Sequence, residues 1–317
     1  MDMRIVRFLK DWTLIISILA GIFGYFIYTG IPALEPTRAV ANRAVAIVQP
    51  LLIFAMLFLT FCKVDPRQLR LRRWHGWLLA IQCGLFAAIG CVLMAMPHSG
   101  LRVVLEGAMI CLICPTATAG AVITRRLGGD VNNITTYTML INLATALLIP
   151  AMVPLVHPNP DLNAFAAAAL ILGKVFPLLL LPLVAAMLLR YFLPQMCARI
   201  ARYQDLSFYL WAVALAMAVT TRSIVHSTVA LSTQLWLVAV SLACCAGQFY
   251  FGRRIGRRYG DTITAGQSLG QKNTVLAIWM GYTFFTPVTA IAGGFYSIWH
   301  NLVNSYQLYR AAKGGSL

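Results

Sequence analysis

Hydrophobic positions in this chain come in long blocks, with neither the alternation of an exposed strand nor the narrow stripe of a soluble helix. Apolar runs near the roughly 20 residues that cross a bilayer as a helix fall at about 12 to 30, 45 to 62, 76 to 97, 103 to 124, 133 to 156, 164 to 189, 206 to 221, 229 to 252, 262 to 286 and 288 to 309. The pattern predicts an all-α integral membrane protein with ten transmembrane helices. No polar linker or low-complexity tract separates the runs, so residues 1–317 are expected to form one membrane domain. Divided at its middle, the domain gives one five-helix half at about 1–158 and a second at about 159–317.

Two of the runs are interrupted by small and polar residues. The fourth contains Cys114-Pro115-Thr116-Ala117-Thr118-Ala119-Gly120, and the ninth contains Gly266-Gln267-Ser268-Leu269-Gly270-Gln271-Lys272-Asn273-Thr274. Pro115 lacks a backbone donor and is expected to break its helix. Five helices per half give the halves opposite orientations, and corresponding interruptions in inverted halves point to a transporter's binding site. Irregular backbone survives at membrane depth only where protein or a wet cavity covers it. The freed N–H groups at the start of a half-helix favour an anion, and freed carbonyls favour a cation. Lys272 places a charge inside the second interruption, and an intramembrane charge marks function more often than packing.

Composition and charge agree with the block pattern. Hydrophobic residues make up 60% of the chain and charged residues 11%, against about 25% charged in an ordinary soluble domain. The net charge of +16 raises the possibility of nucleic acid, but no polar domain exists to carry a basic patch. With the N-terminus inside, one face receives 19 basic residues: Arg4, Arg7, Lys10, Lys63, Arg67, Arg70, Arg72, Arg73, Arg125, Arg126, Arg190, Arg199, Arg202, Arg253, Arg254, Arg257, Arg258, Arg310 and Lys313. The other face receives Arg38, Arg43, Arg102 and Arg222. The positive-inside rule then places both termini in the cytoplasm. The basic residues before the first run are read as flanking a permanent helix, because no clear small-residue cleavage site follows.

Few other groups suggest chemistry. The eight cysteines lie mostly within spans, which argues for packing and against a disulfide framework, and the Cys111–Cys114 spacing lacks a second pair. His75, His98, His157 and His226 fall near span ends. No phosphate loop, dinucleotide fingerprint or nucleophile elbow occurs, so neither catalytic residues nor a resident cofactor or metal is expected. Glu106 is expected to be interfacial or structural, with pairing to Lys272 or carrying protons as the alternatives. Lys174 is expected to snorkel to the external surface or to line a crevice, and Asn142 to complete a site or bond a neighbouring helix.

Taken together, Cys114-Pro115 with Thr118, the Lys272-Asn273-Thr274 run and Ser297-Ile298-Trp299-His300-Asn301 resemble the bile acid/sodium symporter family, which includes bacterial homologues carrying small organic anions. The likeness extends over nearly the whole chain. It implies two inverted five-helix repeats, with broken helices 4 and 9 crossing in a core domain (helices 3 to 5 and 8 to 10) beside a panel domain (helices 1, 2, 6 and 7). It also implies an anion site near the crossing, and the matching positions here are Thr118, Asn273, His300 and Asn301, with Lys272 beside them. The partners implied are a small organic anion and membrane lipid, and the setting a bacterial inner membrane.

The family's sodium positions are largely replaced. Their equivalents are Gln82, Thr138, Ser268, Gln271 and Lys272, with Ser268 where the family has the glutamate shared by both sodium sites and Lys272 where it has a ligating glutamine. A serine-asparagine pair becomes Gly120 and Ala121, and a further ligating serine becomes Ile134. A lysine ammonium is a compact cation with three donors and no acceptor. The expectation is sodium-independent transport of an organic anion by alternating access, with Lys272 standing in for the ion. The alternatives are a non-transporting receptor for such an anion and a proton-linked exchanger.

Overall fold

A computed structural model describes residues 13–158, 161–203, 206–221 and 230–313. Arg4, Arg7, Lys10, Arg222 and His226, assigned above to loops and termini, lie outside these residues. The described residues form fourteen α-helices and two short 3₁₀ turns, with no strand among them. In chain order the helices are α1 (Thr13–Gly30), α2 (Arg38–Cys62), α3 (Arg73–Ala95), α4 (Arg102–Ile113), α5 (Gly120–Arg126), α6 (Val131–Val156) and α7 (Ala164–Leu179). Then follow α8 (Leu181–Phe192), α9 (Pro194–Ala201), α10 (Leu206–Thr221), α11 (Leu231–Arg258), α12 (Thr262–Gly270), α13 (Thr274–Phe284) and α14 (Ala290–Ala312).

Among the described residues, five helical stretches are long and apolar enough to cross a membrane: Ala39–Cys62, Arg73–Ala95, Val131–Val156, Ala164–Phe192 and Leu231–Arg258. The protein is an integral membrane protein, and its surface agrees. Phe23, Ile27, Ile47, Leu51, Phe165 and Leu235 are all exposed, an apolar exterior that water would penalise and lipid does not.

Helix boundaries follow local chemistry. The Asp130 carboxylate accepts from the backbone N–H groups of Asn132 and Asn133 and starts α6. Asn163 does the same for α7 through Ala166 N–H, so the Asp130 cap satisfies two and the Asn163 cap one of the orphan donors at a helix start. Prolines in the first turn open α8 and α9, where their missing donor costs nothing. Pro50, Pro150, Pro154 and Pro177 lie inside helices, which membrane helices accommodate.

The tightest packing is between α11 and α12. A Cβ on Gly252 would stand 2.6 Å from the Ala265 carbonyl oxygen, and one on Gly256 would stand 2.5 Å from the Asp261 carbonyl oxygen. Gly252 and Gly256 are four residues apart on one face, the small-xxx-small arrangement that lets membrane helices approach through their backbones. This close approach seats α12, and the break that follows it, against the rest of the bundle.

Candidate functional site

Both predicted interruptions are present: residues 114–119 separate α4 from α5, and residues 271–273 separate α12 from α13. They touch. The Asn273 amide donates to the Pro115 carbonyl at 2.8 Å, the Cys114 thiol donates to the Asn273 carbonyl at 2.8 Å, and the Thr116 hydroxyl donates to the Ser268 carbonyl at 2.7 Å. Each irregular segment supplies part of what the other lacks.

A helix ending inside a bilayer leaves its last carbonyls without intrahelical donors, and each must find a partner where water is absent. At the end of α4 every one does. The Ile110 carbonyl accepts from Cys114 N–H. The Cys111 carbonyl accepts from Gln248 Nε2 at 3.2 Å, and the Leu112 carbonyl from Lys272 Nζ at 3.2 Å. The Ile113 carbonyl takes Thr145 Oγ1 at 3.0 Å and Gln82 Nε2 at 3.3 Å, and Gln82 Nε2 also reaches the Cys114 carbonyl at 3.1 Å. Gln82 is held in turn by the Tyr137 hydroxyl, which donates to its Oε1 at 2.8 Å. Gln248 Nε2 also donates to Tyr296 Oη, whose hydroxyl donates to the Gly270 carbonyl at the end of α12. One chain of side chains thus serves both breaks.

Lys272 is among the largest fully buried side chains, at 1% exposure. Its ammonium lies at the C-terminal end of α4, where the helix dipole presents partial negative charge. The predicted alternative, pairing with Glu106, is not what the structure shows. Glu106 is buried against Arg102 Nε at 3.1 Å, His157 Nδ1 at 3.4 Å and the Thr289 hydroxyl at 3.2 Å. Arg102 continues to the carbonyls of Pro97 and Val156. This cluster joins the start of α4 to the end of α6 and the start of α14, the structural role expected of Glu106.

Of the residues matched to an anion site, Asn273 and His300 meet around Lys272. Asn273 is the N-cap of α13: its Oδ1 accepts from Leu276 N–H, and its Nδ2 is buried with no partner among the described residues. His300 Nδ1 accepts from the Lys272 backbone amide at 3.3 Å, so the imidazole proton is on Nε2. Thr118 is half-buried in the 114–119 segment, and Asn301 is half-buried next to His300, its amide turned to the Ser297 carbonyl of its own helix. The hydroxyls of Ser268, Thr274 and Ser297 are also buried without partners among the described residues, an uncommon concentration of unmet polar groups.

The cation-site equivalents separate. Gln82 and Lys272 meet at the end of α4. Thr138 bonds back to the Ile134 carbonyl one turn earlier. Gln271 belongs to a different network, donating to Gln267 at 2.9 Å and to Asn304 at 2.7 Å, with Gln267 bonded to Gln307. Asn142 bonds its own helix at the Thr138 carbonyl instead of a neighbour, leaving its Oδ1 buried and unpaired among the described residues. Cys111 and Cys114 are free, like the other six cysteines. Gln248, Tyr296, Thr145 and Tyr137 were not anticipated; the available signal was that each is a polar group within an apolar run.

Residues 18–298 match the family model of the SBF-like CPA transporter family. The chain belongs to the SBF-like CPA transporter family. Membership agrees with the likeness to bile acid/sodium symporters read from Cys114-Pro115, Lys272-Asn273-Thr274 and Trp299-His300-Asn301. No match was found among curated proteins. For a membrane transporter of this family, the touching breaks and their unmet polar groups form the candidate site.

Proposed function

We propose that this family member is a sodium-independent secondary transporter that moves a small or amphipathic organic anion by alternating access. The observation carrying this reading is the Lys272 ammonium on the Leu112 carbonyl, buried between the two breaks. A mobile cation held by freed carbonyls at a helix C-terminus would occupy the same electrostatic position. Here the cation is covalently attached, and Ser268 offers no carboxylate beside it. An anion arriving at the start of α13 meets this amine together with Asn273 Nδ2 and the imidazole of His300.

The rocking motion in this reading requires ten membrane passes. In the first half, α1, α2 and α3 are followed by the broken pair α4/α5 and then α6. In the second, α7/α8, α10 and α11 are followed by the broken pair α12/α13 and then α14. The same order of elements in two five-pass halves is what inverted repeats require. With both termini on the basic side, the protein sits in a bacterial inner membrane in this reading. Binding and movement of an anion require no catalytic group and no resident cofactor.

A thermal-shift screen of the purified protein against organic anions, with and without sodium, tests the binding half of the proposal. Stabilisation by an anion that is equal in sodium and potassium buffers is the expected result. Stabilisation that appears only with sodium contradicts it. Tight binding without flux in proteoliposomes would favour a receptor.

A further inference from the structure

The start of α3 and the end of α11 meet at one boundary of the membrane region. Arg73 opens the span Arg73–Ala95, and Arg258 closes the span Leu231–Arg258. The Trp77 indole joins the two ends, donating to the Tyr259 hydroxyl at 3.0 Å, and Ile255 of α11 packs into the cluster that holds Trp74 and Leu78 of α3. Arg70, Arg72 and Arg73 stand exposed on the α3 side of this aromatic bridge, and Arg254, Arg257 and Arg258 on the α11 side. Among the described residues none of the six is ion-paired; Arg254 donates to the Tyr250 hydroxyl at 3.2 Å. The acids of this face are engaged elsewhere. Asp65 accepts from the Arg67 amide and from Gln68, Asp130 caps α6, and Asp261 accepts from Asn133 Nδ2. Membrane orientation is served by basic residues anywhere on the face and does not call for three arginines on each side of a fixed bridge.

The surroundings name the partner. A guanidinium presents a planar fork that matches phosphate oxygens. Next to the arginines in sequence, Leu71, Trp77, Tyr250 and Phe251 are exposed, Leu71 to 76%, and Trp and Tyr mark the headgroup level of a bilayer. A soluble phosphate compound would leave these apolar side chains uncovered. A phospholipid covers them with its acyl chains while its phosphate meets the arginines, the recognition expected of a basic pocket between membrane helices. Basic groups on both sides of the bridge suit a headgroup with two phosphates better than a headgroup with one.

We propose that the α3/α11 junction binds an anionic phospholipid of the cardiolipin class, one phosphate against the arginines of each helix and the acyl chains against Trp77 and Phe251. The site lies away from the crossing and does not depend on what the protein carries. Its place in the fold gives the lipid leverage. Gln82 of α3 holds the α4 break, and α11 backs α12 through Gly252 and Gly256. A lipid that ties α3 to α11 steadies the supports of both breaks, and a ligand bound only by the folded state raises its stability.

The test uses the full chain, delipidated in neutral detergent, with lipid binding read by native mass spectrometry and stability by thermal unfolding. Cardiolipin should raise the unfolding midpoint and bind at least about tenfold more tightly than phosphatidylcholine of the same chains. It should bind about threefold or more tightly than phosphatidylglycerol, which has one phosphate. Arg72→Gln with Arg73→Gln, and Arg257→Gln with Arg258→Gln, should each reduce cardiolipin to the phosphatidylglycerol level, whereas Arg72→Lys with Arg73→Lys should retain most of the preference. Arg199→Gln with Arg202→Gln removes the same charge at the exposed α9, which packs on α2 and α8, and should leave cardiolipin binding as in the wild type. The lipid comparison on the wild type and the lysine variant decide the matter if a glutamine variant does not fold. Cardiolipin bound no more tightly than phosphatidylglycerol, equal losses in the α9 and junction variants, or displacement of cardiolipin by inorganic pyrophosphate at comparable concentration overturns the proposal.

Discussion

Replacing Gln82 with leucine should expose how the α4 break is held. Gln82 is 1% exposed; its Nε2 donates to the Ile113 and Cys114 carbonyls, and its Oε1 accepts from the Tyr137 hydroxyl. Gln82→Leu keeps the volume but strips the Cys114 carbonyl and the Tyr137 hydroxyl of these partners. The Ile113 carbonyl keeps Thr145. An orphaned buried group costs about 1–3 kcal/mol, whereas interhelical hydrogen bonds in membranes average about 0.6 kcal/mol because the unfolded reference also finds partners. Two orphaned groups therefore place the expected loss at about 1–4 kcal/mol. Thr145→Val alone should cost about 0.5 kcal/mol, since Gln82 still serves Ile113. In the double variant the Ile113 carbonyl loses both donors, so the combined loss should exceed the sum of the single losses by about 1 kcal/mol. Reversible unfolding in mixed micelles, titrated with a denaturing detergent, measures all three. Additivity within about 0.5 kcal/mol would refute the shared-carbonyl geometry.

Two further substitutions probe the scaffold. Gly256→Ala should destabilise by about 1–3 kcal/mol, because its Cβ would meet the Asp261 backbone, whereas Gly247→Ala, with nothing within 4 Å of its Cβ, should be neutral or mildly stabilising in the same unfolding assay. Glu106→Gln should cost about 1.5–3 kcal/mol by removing charge-assisted hydrogen bonds, and Arg102→Gln should cost less on that background than alone, a coupling read from the double-mutant cycle.

Much of the scaffold was legible in the sequence for plain reasons. Apolar blocks of spanning length can only be helices in lipid, and Pro115 together with the Gly270-Gln271-Lys272 run marked where helices stop. The site was legible in part. Lys272 stood out because a charge within an apolar run is costly, and Asn273 and His300 because they sit in recognisable motifs. The partners that complete the break were not legible. Gln248 and Cys111 are 137 positions apart, and Lys272 and Leu112 are 160, and nothing local in a lone intramembrane amide tells which distant carbonyl it faces. Lys174 was legible as a charge within an apolar run, and the structure leaves it exposed on α7. Asn142 shows the opposite failure, since a side chain able to bridge two helices instead satisfies its own preceding turn.

The most direct measurement of the tethered-cation claim is anion uptake into proteoliposomes under matched sodium and potassium gradients, for the wild-type protein and for Lys272→Gln. Uptake by the wild type should be the same in both salts, and Lys272→Gln should lose uptake without gaining sodium dependence, because Ser268 still provides no carboxylate to replace the lost charge. Strong sodium dependence in the wild type that persists in Lys272→Gln would contradict it.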